Sequence, residues 1–228
     1  MRQVRFRARD GITLEGEVRE ADPPVRGTAV LCHPHPKYGG SKDHPVLWAV
    51  RNELAGKRHL TVLSFNFRGV LGSEGRYSGW RGGLADTAAA VDAVRNEAEG
   101  PTVMVGWSFG ATMSLRHALV DERIAALVLI AIPLGDTARG GARLPTLGEL
   151  ERLTAPVLLV AGDADGICPV GNLRNLARWV PHGEVKIVPG TDHFFGRRER
   201  EVAAAAGAFF EEVLSTAERR GPSGPSSA

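Results

Sequence analysis

From Gln3 to Glu20 apolar residues fall on alternate positions, Val4, Phe6 and Ala8, then Ile12, Leu14, Gly16 and Val18, with Asp10-Gly11 between the two sets. A period of two predicts half-covered strands, and Asp-Gly between them predicts a hairpin. The pattern then changes. Thr28–Cys32 is a continuous apolar run, as expected of a strand covered on both faces, and Leu60–Phe67 reads as another buried strand. Between them 46–54 reads as a helix, with Pro45 in its first turn. Leu84, Ala88, Val91 and Val94 share one side of a helix over 84–97, which Gly100-Pro101 ends. The rest alternates in the same way: strands at 102–105, 124–132, 156–161 and 185–188, and helices at 111–119, 170–179 and 199–214. This order predicts an α/β fold, a mostly parallel central sheet with helices on both faces and an antiparallel N-terminal edge. One domain is expected over 1–218, without a large cap because 132–156 is short. The Gly/Pro/Ser-rich end, 219–228, is expected to be a disordered tail.

The strand at 102–105 runs into Gly106-Trp107-Ser108-Phe109-Gly110, and small residues then open a helix. Gly-x-Ser-x-Gly between a strand and a helix is the pattern of a nucleophile elbow, a sharp turn that holds one hydroxyl above a sheet. Side chains at either glycine would collide with backbone in so tight a turn. A five-residue match is weak in a chain with 28 glycines; its alternative is a Gly-rich turn with a bystander serine. The rest of the chain must supply a base and an acid.

Serine needs a base to take its proton, normally a histidine held by a carboxylate. His193 follows the last strand, in Gly190-Thr191-Asp192-His193-Phe194-Phe195, and so lies at a carboxyl strand end, where ligands bind in such sheets. His59 precedes a strand, and His117 and His182 lie in or just after helices, at the wrong end or facing the wrong way. For the acid, Asp165 in Gly162-Asp163-Ala164-Asp165 is far enough from its strand to reach the base. Asp163 is its competitor, with a turn-stabilising role as the alternative, and Asp136 is a third choice. Asp192 adjoins His193 and cannot easily reach its ring. The chain order Ser108, Asp165, His193 distinguishes one hydrolase fold from the other serine-hydrolase folds.

A tetrahedral oxyanion needs two donors. The amide of Phe109, after the nucleophile, is one, and the loop His33-Pro34-His35-Pro36-Lys37-Tyr38-Gly39-Gly40 is expected to supply the other. Pro34 and Pro36 carry no N–H, which leaves His35 between them. His33, His35, His44 and His193 could alternatively form a metal site, but zinc would not explain the elbow; no metal and no cofactor are expected.

Composition narrows the class further. Of 228 residues 43% are hydrophobic, ample for a core, and the net charge is only +2, which gives no footprint for nucleic acid or an anionic membrane. Cys32 and Cys168 read as two buried or half-buried thiols rather than a disulfide. No signal-peptide core or membrane-length apolar stretch occurs, so a cytoplasmic protein is expected, with no membrane partner. Oligomeric state is not readable.

With these residues in place, the chain resembles the α/β-hydrolase superfamily over nearly its whole length, and more narrowly the small, lid-poor bacterial branch near dienelactone-hydrolase-like esterases. The stretches that carry the resemblance are 31–40, Phe65-Asn66-Phe67-Arg68-Gly69, 106–110, Gly162-Asp163-Ala164-Asp165 and 190–195. The resemblance implies Ser108 as nucleophile, Asp165 as acid, His193 as base, and oxyanion donors at His35 and Phe109. One departure is Leu71, where such loops usually carry glycine; it would alter either the pocket wall or only the outer turn. The expected function is a serine hydrolase that cleaves an ester or thioester of a small to medium acyl substrate. The alternative is a lyase or cyclase on the same scaffold. Trp80, Leu134 and Phe194 are candidate substrate contacts, with Trp107 either wall or core. Arg139 and Arg143 read as a solvated loop or a greeting for an anionic acyl group.

Overall fold

The computed structural model describes residues 1–135, 144–180 and 182–220. Arg139, Arg143, Asp136, most of the 134–143 segment and the end of the chain from 221 lie outside the described residues.

Strand β1 (Arg2–Arg7) pairs antiparallel with β2 (Thr13–Arg19), and Gly11 takes the left-handed φ of +86° that their connection requires. The remaining strands are β3 (Gly27–Cys32), β4 (Leu60–Phe65), β5 (Thr102–Trp107), β6 (Ile124–Ile130), β7 (Val157–Gly162) and β8 (Gly183–Val188). They form one sheet in the order β1-β2-β4-β3-β5-β6-β7-β8, parallel from β4 to β8. The central strands β3, β4, β5 and β7 are buried at every position, which is why their sequences show no alternation.

The helices are α1 (Pro45–Lys57), α2 (Gly79–Arg95), α3 (Phe109–Ala118), α4 (Leu147–Leu150), α5 (Val170–Trp179) and α6 (Glu199–Arg220). Helices α1 and α6 pack together, α2 packs on α3, and α5 lies on β7 and β8. Right-handed crossovers explain the two layers. The connection β3–α1–β4 moves toward the hairpin edge, whereas every later one moves the other way, so α1 and α2 fall on opposite faces. The reversal opens a crevice at the carboxyl ends of β3 and β5, the place where open α/β sheets bind ligands.

Three expectations shift. Helix α2 begins five residues before Leu84, because Gly82 and Gly83 allow its first turn to lie close to Arg68, Phe109 and Met113. The short α4 has no apolar period to reveal it and rests on a capping box between Thr146 and Glu149. Helix α6 continues through Arg220, past the boundary expected at 218, and is anchored by Arg26, which hydrogen-bonds Glu211 and Glu218. Leu71 is 73% exposed at a φ of +46°, so the departure from glycine lies on the outer turn and not on a pocket wall.

Candidate active site

Ser108 stands between β5 and α3 with φ +55° and ψ −115°, far outside the conformations that a serine normally adopts. Such a residue costs about 1–3 kcal/mol and persists only where its surroundings over-determine it. Here they do. The Ser108 amide donates to the Ile130 carbonyl at 2.8 Å, while its own carbonyl accepts from Ala111 and Thr112. A Cβ on Gly106 would lie 2.3 Å from the Gly110 carbonyl oxygen, and one on Gly110 would lie 2.1 Å from that of Cys32. The first glycine therefore lets the turn close. The second lets the start of α3 rest on the backbone leaving β3.

The candidate base and acid arrive on loops that follow the neighbouring strands β8 and β7. Gly162 ends β7 directly under Thr191, where a Cβ would meet the Thr191 carbonyl oxygen at 2.2 Å. Asp163 accepts from the amides of Gly190 and Thr191, which ties the two loops together. That is the turn role weighed for it. Asp165, one turn further, is buried. Its Oδ1 accepts from the amides of Ile167 and Cys168 at 2.8 and 2.9 Å, and its Oδ2 lies 2.8 Å from His193 Nδ1. His193 Nε2 lies 3.0 Å from Ser108 Oγ. Because the carboxylate only accepts, the neutral imidazole carries its proton on Nδ1 and turns an unprotonated Nε2 to the serine. Asp192, the neighbour, accepts from the Phe194 amide instead.

Trp107, weighed as wall or core, is 1% exposed. Its indole Nε1 donates to the His193 carbonyl at 3.3 Å and its ring meets His44, so it holds the base loop from below.

On the other side of Ser108 lies the loop from β3. The Phe109 amide begins α3 and so belongs to the first-turn donors that no helix carbonyl can satisfy. The His35 ring packs 5.3 Å from the Phe109 ring. His35 Nδ1 accepts from the Lys37 amide at 3.1 Å, which puts the ring proton on Nε2, 3.0 Å from the Tyr77 hydroxyl. Gly40 completes the turn: a Cβ there would lie 2.2 Å from the Pro34 carbonyl oxygen. Tyr77, in a polar stretch between glycines, is a contributor the sequence reading missed; an isolated aromatic in such a loop is the signal it offered.

The other histidines have separate work. His33 is fully buried, donates from Nδ1 to the Pro34 carbonyl and accepts the Phe67 amide at Nε2. Burial lowers its pKa to about 4, which keeps it neutral as a link between the loops after β3 and β4. His44 caps α1 against Trp107, its pKa lowered by burial. Among the described residues no group of three His, Cys, Asp or Glu gathers as a metal-ligand set. Both thiols are buried and unpaired, and burial raises the Cys32 pKa to about 12. Behind the loop, Arg68 forms hydrogen bonds to Asp86 and Asp10 that hold the residues after β4.

The candidate substrate contacts divide. Phe194 is exposed and edge-on to the His193 ring at 5.6 Å. Leu134 hangs from the acid loop, its amide donating to Ile167 and its carbonyl accepting from Asn172. Trp80 is held between the guanidinium groups of Arg81 and Arg116 on the flank of α3, at 5.0 and 5.1 Å.

A family model for the alpha/beta hydrolase domain matches residues 27–218. The chain belongs to the alpha/beta hydrolase family. Within it, an uncharacterized protein of Rickettsia prowazekii is 26% identical over 94% of this chain and 91% of its own length. Among solved structures, an alpha-beta serine hydrolase homologue from Coxiella burnetii superposes with a TM-score of 0.79 at 24% identity, covering 91% of this chain and 96% of that one. A Xanthomonas campestris protein described as an a/b serine hydrolase without lid gives 0.77 at 27% identity, over 92% of this chain and 94% of its own. As an alpha/beta hydrolase the chain has the sheet, the antiparallel edge and the two helical layers of the family. Among the described residues no helix is long and apolar enough to cross a membrane.

Proposed function

We propose that the protein is a serine hydrolase that cleaves an ester or thioester of a small to medium acyl substrate through an acyl-enzyme. The observation that carries the reading is the unbroken relay Asp165 Oδ2–His193–Ser108 Oγ, with contacts of 2.8 and 3.0 Å, at a strained elbow. In the first half of the reaction Ser108 Oγ bonds to the substrate carbonyl carbon as its proton moves to His193 Nε2. That proton then passes to the leaving oxygen or sulfur as its bond to the carbonyl carbon breaks. In the second half a water gives its proton to Nε2 and attacks the acyl carbon, and Ser108 departs with the proton. Asp165 orients the imidazole and stabilises its charged form. The amides of Phe109 and His35 are the assigned oxyanion donors, each worth about 3 kcal/mol of barrier in comparable sites.

The chain between β6 and β7 is short, and its described part carries only the four-residue α4, which supports an open site. A relative described as lacking a lid fits the same picture. No metal, cofactor or nucleic acid enters this chemistry. Phe194 and Leu134 are the assigned substrate contacts; Trp80, paired with two arginines, is the weakest of the three candidates. A fluorophosphonate probe followed by peptide mass spectrometry tests the nucleophile. An adduct on Ser108 of the folded protein is expected, and its absence there overturns the reading. A panel of esters and acyl-thioesters, repeated with Ser108→Ala, separates it from a lyase or cyclase, whose activity would survive that substitution.

A further inference from the structure

The imidazole of His193 neighbours two aromatic rings of opposite character. Trp107, 6.4 Å away, is 1% exposed and belongs to the core, whereas Phe194, 5.6 Å away and perpendicular to the imidazole, is 60% exposed. An exposed phenylalanine beside a buried histidine is held there by its backbone: the Phe194 amide donates to Asp192 Oδ1, and the next residue, Phe195, is fully buried with φ +54°. The ring is thus presented to solvent by a rigid turn.

Acyl transfer is not symmetrical about the serine. The leaving atom must come within hydrogen-bond reach of the nitrogen that protonates it, so the alcohol or thiol portion lies on the His193 side. The carbonyl oxygen lies on the side of Phe109 and His35. A leaving group that departs from His193 toward solvent would meet the exposed Phe194 ring packed edge-on against the imidazole. We propose that Phe194 determines specificity for the leaving group and favours a flat aromatic or extended apolar alcohol or thiol. This rests on the serine-hydrolase reading and adds a substrate class to it: apolar ring contacts at this ring would strengthen as water is expelled between them. Acyl specificity belongs elsewhere in the site.

The test exploits the fact that the leaving group is gone once the acyl-enzyme has formed. Two esters with one acyl group that the enzyme turns over are compared, one of 2-naphthol and one of hexafluoroisopropanol, alcohols of similar acidity but different shape. Wild type, Phe194→Leu and Phe194→Ala are measured by steady-state and burst kinetics. Phe194→Ala is expected to lower kcat/KM for the naphthyl ester by about tenfold and for the fluoroalkyl ester by less than about twofold, with Phe194→Leu between. The rate of acyl-enzyme hydrolysis should stay the same in all three proteins. Equal losses on both esters, or a change in acyl-enzyme hydrolysis, would overturn the assignment while leaving the serine-hydrolase reading intact. A wild-type protein that forms no acyl-enzyme from any ester of the panel overturns that reading itself.

Discussion

His193 and His117 are both buried, and each is hydrogen-bonded to an aspartate, at 2.8 Å to Asp165 and 3.0 Å to Asp121. They lie at opposite ends of the sheet and are built differently. His193 meets its carboxylate through Nδ1 and so keeps Nε2, the nitrogen at the tip of the ring, for Ser108. His117 spends Nε2 on Asp121, four residues along the chain, where the helix α3 ends. The two aspartates also differ. Asp165 is held by backbone amides and has one oxygen left to direct the imidazole. Asp121 is clasped by the Arg123 guanidinium, whose hydrogen bonds bring its pKa down to about 2. A buried His–Asp pair is therefore not a catalytic device by itself. What distinguishes the pair at the carboxyl strand ends is which ring nitrogen remains and what it faces.

The comparison breaks most plainly at the serine. Ser108→Ala should lower kcat on the best ester of the panel by about 10⁵-fold or more, and adding His193→Ala should cost little further, since such groups act as a unit. Independent, multiplying losses measured in that double variant would mean that the two residues do not share a step. Asp165→Asn should follow, with a fall of about 10⁴-fold in kcat. The two amides on Oδ1 can only donate, so they fix the asparagine oxygen and turn its NH₂ toward His193. The ring must then accept at Nδ1 and carry its proton on Nε2, where it can no longer take one from Ser108. A loss below tenfold in stopped-flow or steady-state assays would show that Asp165 is not the orienting acid, and Asp163→Asn would become the variant to examine.

At the other pair the same substitution should touch stability alone. Asp121→Asn is expected to leave kcat/KM within about twofold and to cost about 1 kcal/mol of unfolding free energy near neutral pH, because the Arg123 partner is half exposed and its attraction is screened by solvent. The sign follows from the depressed carboxyl. Folded Asp121 titrates near 2 against an ordinary 3.8, so its contribution is fully present above about pH 4 and is lost as pH falls toward 2. Urea unfolding curves of wild type and variant should accordingly converge in acid. A gap that stays constant down to pH 2 would remove the charge from the explanation.

How far the site was legible follows from the same contrast. The elbow and the candidate acid and base could be read because each follows the carboxyl end of a strand, Ser108 directly and Asp165 and His193 a few residues into the loop, and strand ends are visible where an apolar run stops. The chain order then left little freedom. His117 could be set aside for the same reason, by its place in a helix. What the sequence did not reveal are contacts that depend on how loops fold back. Tyr77 meets His35 across the crevice from forty-two positions away, and Trp107 turned out to support the His193 backbone from the core side. The start of α2 was hidden because its first turn is closed by glycines that pack against side chains of other elements, which no local propensity records. Leu71 could be seen as unusual, but only its exposure decided that the oddity lies outside the crevice.

Tyr77 gives the finest test of how the two ends differ, because its effect should be small and specific. The His35 ring accepts from the Lys37 amide at Nδ1, so Nε2 donates to the Tyr77 hydroxyl, and the ring is fixed at both nitrogens. The backbone amide of the same residue is the assigned oxyanion donor, so freedom in the ring becomes freedom in the donor. Tyr77→Phe keeps the ring contacts with His35 and Phe109, at 4.8 and 5.9 Å, and removes the hydroxyl that accepts from His35 Nε2. A single neutral hydrogen bond contributes about 1 kcal/mol, which corresponds to roughly a fivefold loss. If Tyr77 positions the oxyanion donor, that loss should appear in kcat with little change in KM, because the donor matters most when charge develops on the oxygen. The affinity for a boronic acid, which forms a tetrahedral adduct on Ser108, should fall by the same factor. Asp121→Asn, which loosens the fold at the far end of α3, should change neither quantity. A Tyr77→Phe variant that loses melting temperature but binds the boronic acid as wild type does would make Tyr77 a packing residue, and the support for the His35 amide would then fall to its other contacts, among them the Lys37 amide on its ring and the turn closed by Gly40.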